Sequence, residues 1–275
     1  MIIASIVLVL LAIFGAPLFA VIATSAMLGF SRDETDLMNM AIEIQGIADL
    51  PFLTAIPLFT FAGYILSESN APQRLVRTTG AILGWMPGGL AVVSLAACAF
   101  FTAFTGASGV TIIALGALLY PALKQDGYPE RFNLGLITGA GSLGLLFAPS
   151  LPLILYGVIA EVSIDHLFRA GILPGILMIV MLSGWSLWVN RGNRQMIKKF
   201  SWREPGDALL EAKWELPLPF VVLGGIYSGF LAVSDAAAIT ALYVVIVEVG
   251  ILREIRISDL PRIIRSSMVL VGGIL

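Results

Sequence analysis

Long apolar runs alternate with short charged blocks along this chain, and the runs set out a series of membrane helices. Ile2–Phe30 carries no charge. It is too long for a signal-peptide core and has no positive amino-terminal region, so it reads as a retained transmembrane helix, tilted or bent near Pro17. A charged block, Ser31–Leu50, a short apolar span, Pro51–Leu66, and a second block, Ser67–Arg77, come next. After a long uncharged stretch, the apolar runs Phe132–Ala160, Ala170–Asn190, Leu216–Ser234 and Ala236–Leu252 predict further spans. The chain stops inside another apolar run, Met268–Leu275, too short to cross, so a truncated piece of a longer protein is expected.

The uncharged stretch is the most unusual. Thr78–Leu123 runs for 46 residues between Arg77 and Lys124, broken near its middle by Thr105-Gly106-Ala107-Ser108-Gly109. The 14 residues after that cluster, Val110–Leu123, would reach about 21 Å as a helix, short of a hydrocarbon core roughly 30 Å thick. Two ordinary spans would need their turn at Ala99-Phe100-Phe101, which has no turn chemistry. The expected element is a re-entrant hairpin over 88–123 whose Thr/Gly/Ser tip lies at membrane depth. Unwound backbone is tolerated there only when it is buried in protein or lines a wet cavity.

Composition agrees with an all-α polytopic membrane protein. Hydrophobic residues make up 58% of the chain and charged residues 12%, against about 25% in soluble domains. Mean hydropathy is +0.95. A net charge of −2 with no basic stripe gives no reason to expect nucleic acid. One cysteine, Cys98, and one histidine, His166, exclude an internal disulfide and a multi-histidine metal site.

Charge placement supports the hairpin. With the hairpin counted as non-crossing, 14 of the 16 Lys/Arg fall on one face, in the blocks around Arg74, Lys124, Arg191–Glu215 and Arg253–Arg265. Only Arg32 and Arg169 fall on the other. Trp85, Trp185, Trp188, Trp202 and Trp214 also stand at or near the basic face, as an interfacial aromatic belt would. By the positive-inside rule that face is cytoplasmic, and Ser31–Leu50 is periplasmic.

A second irregularity is Gly141–Pro152, G-S-L-G-L-L-F-A-P-S-L-P. Two prolines three residues apart remove backbone donors in mid-membrane, free carbonyls and break the helix over 132–160. Broken helices that face a hairpin tip are a recurring transporter device, in which freed carbonyls bind cations. The two elements offer the hydroxyls of Thr102, Thr105, Ser108, Thr111, Thr138, Ser142 and Ser150, and no titratable group in their hydrophobic parts. Neutral oxygens suit a desolvated alkali ion, so sodium coupling fits better than a proton relay. The ion-binding candidates are Thr105, Gly106, Ser108, Gly144, Ala148, Pro149 and Ser150. No cofactor is expected.

Other features have simpler accounts. Gly106-Ala107-Ser108-Gly109 matches the G-x-S-G signature of rhomboid proteases, but the one histidine, His166, lies in a charged segment, which disfavours a catalytic pair. Glu248 is expected to snorkel or to meet Arg253. Ser234 or Asp235 is expected to cap a helix.

The segments Ile56–Leu66, Met86–Val93, Phe100–Thr111, Gly141–Ser150, Leu167–Gly175 and Gly224–Ala238, in this order and spacing, resemble the large membrane subunit of TRAP (tripartite ATP-independent periplasmic, DctM-like) transporters. The resemblance covers essentially the whole chain and corresponds to the family's first repeat plus the start of its second. It implies half of an inverted-repeat, elevator-type importer in the bacterial inner membrane. Sodium would drive uptake of organic anions such as C4-dicarboxylates. The implied partners are a small four-helix membrane subunit and a periplasmic binding protein. The tip would be Thr105-Gly106-Ala107-Ser108 and the break Phe147-Ala148-Pro149-Ser150, with Ala107 and Ala148 departing from the family's hydroxyl and proline. The implied organisation is 1–66 amino-terminal helices and connector, 67–160 transport-domain half, 161–252 scaffold, and 253–275 the start of a second repeat. A stand-alone sodium–dicarboxylate symporter of similar architecture is the alternative within transport. The substrate is not legible.

Overall fold

The computed structural model describes residues 2–32, 36, 38–48, 50–86, 88–106, 108–191 and 203–274, without the side chains of 2, 3, 43, 47, 48, 51, 52, 104, 203 and 274. Ala107, Pro87, the acids Asp33, Glu34 and Asp49, and Trp202 with most of the basic loop therefore lie outside the described residues. Two compact units are present, Met1–Leu53 and Thr54–Leu275.

In the first unit the expected single helix is two. α1 (Ile2–Ile13) ends before Gly15, whose φ is +88°, and α2 (Leu18–Arg32) starts after Pro17 and packs against α1. A left-handed glycine followed two residues later by a proline stops the helix rather than bending it. α3 (Met38–Ala48) follows within the block read as a connector.

The second unit is built around a central helix. α4 (Ala55–Glu68) and the short amphipathic α5 (Ala71–Leu83) lead into α6 (Gly89–Thr105). α6 packs against α4 and α5, and against α7 (Ser108–Gln125), α8 (Glu130–Leu143) and α10 (Ile164–Val189). The small residues Ala91, Ala97, Cys98, Ala99 and Ala103 are buried along it. Small side chains allow close backbone approach, the main source of helix association where lipid removes the hydrophobic driving force. α7 is longer than the apolar run implied, because Ser108 and Gly109 join its first turn while Lys124 and Gln125 continue its last.

After α8 the chain makes a 3₁₀ turn (Gly144–Leu146), becomes extended at Phe147, and resumes as α9 (Leu151–Ile159), bent by 45° from the preceding segment. α10 and the segment Val233–Ile251 are each long and apolar enough to cross a membrane. Leu173, Leu177, Val180 and Met181 project from α10 fully enough to face lipid. α11 (Arg203–Glu211) forms in what read as an extended loop, and α12 (Pro217–Tyr227) ends well before the expected Ser234. α13 (Val233–Val245) packs on α4 and passes into a π-helical turn, Ile246–Ile251. Its first turn is held by the Ala232 N–H donating to Asp235 Oδ2 at 3.3 Å, so Asp235 reaches back from inside the helix instead of capping it. α14 (Leu260–Ile274) packs on α4, and Arg262 grips Glu68 through two 2.8 Å hydrogen bonds.

Candidate functional site

The hairpin turn and the helix break, separated in sequence, meet in space. α6 closes on Gly106, whose φ of +63° lets its N–H donate back to Thr102 O at 2.8 Å. Only glycine enters this left-handed cap without strain. A Cβ on Gly106 would stand 2.7 Å from Leu151 Cγ, so the turn rests on the first residue of α9. On the other side of the break, a Cβ on Gly144 would lie 2.3 Å from Thr102 Cβ and 2.5 Å from Ala99 O. One on Gly141 would lie 2.5 Å from Ile112 Cγ1 and 3.4 Å from Ser108 O. The glycines are where the hairpin fits into the break.

Between them sits a buried hydroxyl cluster. Thr102 Oγ1 is 2.7 Å from Cys98 O, 3.0 Å from Gly141 O and 2.8 Å from Thr111 Oγ1, and Thr111 Oγ1 is 3.1 Å from Thr105 Oγ1. All three threonines are essentially inaccessible. Each hydroxyl has one proton, so oxygen lone pairs outnumber hydrogens in this cluster. Ser150 stands ahead of α9 with its Oγ fully buried and without a hydrogen-bond partner. Ala148 and Pro149 are buried beside it.

α10 supports the break from behind. A Cβ on Gly171 would fall 2.2 Å from Leu146 O, and one on Gly175 would fall 2.6 Å from the Phe147 ring. These glycines give physical meaning to the Leu167–Gly175 segment.

Of the residues expected at the site, Thr105, Gly106, Gly144, Ala148, Pro149 and Ser150 are gathered around the turn–break contact, with half-buried Ser108 at the start of α7. Thr138 and Ser142 are exposed and bond to carbonyls of their own helix. Thr102 and Thr111, named among the hydroxyls of the two elements, are absent from the ion-binding candidates, and the Gly141 carbonyl was not foreseen. Thr102 and Thr105, one turn apart at the end of an apolar helix, were the available signal. Among the described residues no group of three or more His, Cys, Asp or Glu could hold a metal ion.

The family described as the DctM component of tripartite ATP-independent periplasmic transporters matches residues 2–275. The chain belongs to this family. It is 32% identical to the ectoine/5-hydroxyectoine TRAP transporter large permease protein UehC of Ruegeria pomeroyi, over 91% of the chain and 60% of that protein. It is 32% identical to the C4-dicarboxylate TRAP transporter large permease protein DctM of Rhodobacter capsulatus, over 86% of the chain and 58% of that protein. It is 34% identical to the isethionate TRAP transporter permease protein DctMQ of Oleidesulfovibrio alaskensis, over 83% of the chain and 37% of that protein. The chain thus spans about 60% of the length of the large permeases it matches. Membership makes it an integral membrane protein of a transporter family and sets aside the protease reading. His166 is exposed at the start of α10, 3.8 Å from Asp165.

Proposed function

We propose that this chain is part of the large membrane subunit of a sodium-driven secondary importer of small organic anions in the bacterial inner membrane. The observation that carries the reading is the hairpin turn packed into the broken helix around buried, lone-pair-rich oxygens. Both halves of that arrangement supply ligands that need no proton. Thr102, Thr105 and Thr111 line one side, and the unpartnered Ser150 hydroxyl stands at the break. Sodium is the coupling ion of this reading, carried as cargo with the substrate.

Re-entry of α6–α7 is part of the same proposal. The turn is buried against α9, and a pair that does not cross gathers 14 of the 16 basic residues on one face, which favours re-entry. The elevator motion places residues 67–160 in the moving body and 161–252 in the scaffold. Relatives named for TRAP transport of ectoine, isethionate and C4-dicarboxylates support an organic anion or zwitterion as substrate. They also support delivery by a periplasmic binding protein and pairing with a small four-helix membrane subunit. Co-purification of that binding protein separates this reading from a stand-alone symporter.

The deciding experiment is sodium-dependent uptake by a complete transporter carrying this sequence. Ser108→Ala and Ser150→Ala each remove one neutral oxygen ligand, worth on the order of 1 kcal/mol by analogy with a net hydrogen bond, or roughly fivefold in half-saturating sodium. Substrate affinity of the isolated binding protein should not change. Unaltered sodium dependence in a normally expressed double variant would assign both serines a structural role and defeat the reading.

A further inference from the structure

A second polar site lies away from the hairpin, where α5, the segment before α12, and the π-helical turn after α13 converge on Arg74. Arg74 Nε donates to Glu215 Oε1 at 2.6 Å, its second terminal nitrogen stands 3.4 Å from Glu248 Oε1, and its first bonds Glu254 Oε1. Side-chain exposure is 13% for Arg74, 3% for Glu215, 1% for Glu248 and 16% for Glu254, so all four are withdrawn from bulk water. Three carboxylates share one guanidinium. The remaining oxygen of Glu254 is satisfied by the Asn70 N–H at 2.7 Å, but Oε2 of Glu215 and Oε2 of Glu248 are buried without partners.

The other groups around the cluster do not repair this imbalance. Tyr243 from α13 gives its hydroxyl to Trp214 O, and the Ser69 hydroxyl, which donates to Leu66 O, also faces Glu248 but carries no charge. Arg77, one turn along α5, is engaged with Glu211, and Arg253 is exposed. Full ionisation would leave two uncompensated negative charges in a pocket withdrawn from bulk water, where an unpaired ion is costly. A metal ion does not resolve it, because no three acidic groups among the described residues are arranged to hold one. The backbone is shaped for the site too. The π-helical turn carries Glu248 inward, and the Glu248 carbonyl accepts from the N–H groups of Glu254 (2.9 Å) and Ile255 (3.3 Å). Such turns inside α-helical segments recur at functional sites.

We infer that the Arg74–Glu215–Glu248–Glu254 cluster is a proton-binding site with Glu248 as the carrier. Glu248 is the most buried member, has the longest contact with Arg74 and keeps one oxygen without a partner. Glu215 receives Arg74's shorter bonds and Glu254 is bonded at both oxygens, so these two remain the counter-ions of Arg74. Protonation of the Glu248 carboxylate removes one of the two excess charges. Its release returns the proton to water and leaves three carboxylates sharing the single charge of Arg74. The inference is independent of the sodium reading, since the sites share no residue.

Infrared difference spectroscopy of the chain in phospholipid vesicles, titrated from neutral to alkaline pH, tests it. The wild type should show a protonated-carboxyl C=O stretch at neutral pH that disappears on alkalinisation. Glu248→Gln should abolish that band, whereas Glu215→Gln and Glu254→Gln should keep it. The thermal unfolding midpoint of the wild type should fall as pH rises from the ordinary carboxylate range to the pH at which the band disappears, and by more than that of Glu248→Gln, which keeps only the share of the buried Glu215. Absence of the band in the wild type, its survival in Glu248→Gln, or its loss in Glu215→Gln alone would overturn the assignment. If Glu248→Gln does not assemble, Glu248→Asp must shift the band's titration, and an unmoved titration refutes the inference.

Discussion

At the scale of single residues, glycines and hydroxyls do the positioning. Gly144 admits no side chain, because three heavy atoms of α6 stand within 2.8 Å of where its Cβ would be, two of them backbone. Gly139, five residues earlier and within α8, faces open space. Gly144→Ala should therefore destabilise by about 1–3 kcal/mol through forced displacement of α6, whereas Gly139→Ala should stabilise by about 0.5–1 kcal/mol through helix propensity. Thermal unfolding of the two variants in detergent checks the contrast, and equal midpoints would show that α6 does not approach as closely as described. Thr102→Val keeps the shape but removes the hydroxyl that links Cys98 O, Gly141 O and Thr111. The expected loss is about 1–3 kcal/mol, the cost of leaving buried polar partners unsatisfied.

At the scale of elements, ion pairs tie α5 to distant parts of the chain with unequal strength. The Arg74 side chain is 13% exposed and bonded to acids more than 140 residues away, while the Arg77–Glu211 pair is 59% and 43% exposed. Arg74→Gln should cost about 3–5 kcal/mol, because it strands buried carboxylates. Arg77→Gln should cost under about 1 kcal/mol. Denaturant or thermal unfolding of both variants gives the comparison. The acids of the cluster differ in their titration. Burial pushes the Glu215 carboxyl above its usual range despite Arg74. Burial also pushes Glu254 upward, but hydrogen bonds from Arg74 and from Asn70 outweigh it and hold Glu254 below that range. A lowered folded pKa stabilises at pH values above the unfolded pKa, and that contribution is lost as pH falls through the folded one. Wild-type stability should therefore carry an acid-side loss, below the ordinary carboxylate range, that Glu254→Gln lacks in a pH series of unfolding midpoints.

At the scale of the whole molecule, the membrane orientation makes the sharpest prediction. On a Cys98→Ala background, a cysteine at exposed Lys213 should resist an impermeant reagent added to intact cells, and one at exposed Asp36 should react. A cysteine at Gln125 should be as protected as one at Arg77, the exposed residue that precedes the hairpin. Labelling at 125 with protection at 77 is incompatible with a non-crossing α6–α7 pair.

Much of this was legible without coordinates. Thr105–Gly109 announced a turn because an uncharged stretch of this length cannot be one helix, and Gly141–Pro152 announced a break because prolines cannot donate to the ladder. The alternation of apolar and charged blocks is enough for the membrane class, since lipid permits only internally bonded backbone. Register between elements was not legible. No local pattern says that Gly106 meets Leu151, that Gly171 receives the Leu146 carbonyl, or that Thr102, Thr105 and Thr111 share one pocket. Glu248 shows why. Sequence proximity pointed to Arg253, five residues on, but its partner is Arg74 on a helix that contacts it only after folding. Periodicity reports which face of a segment avoids water. The partner of a buried charge is set by long-range packing, and that was decided by the tertiary structure alone.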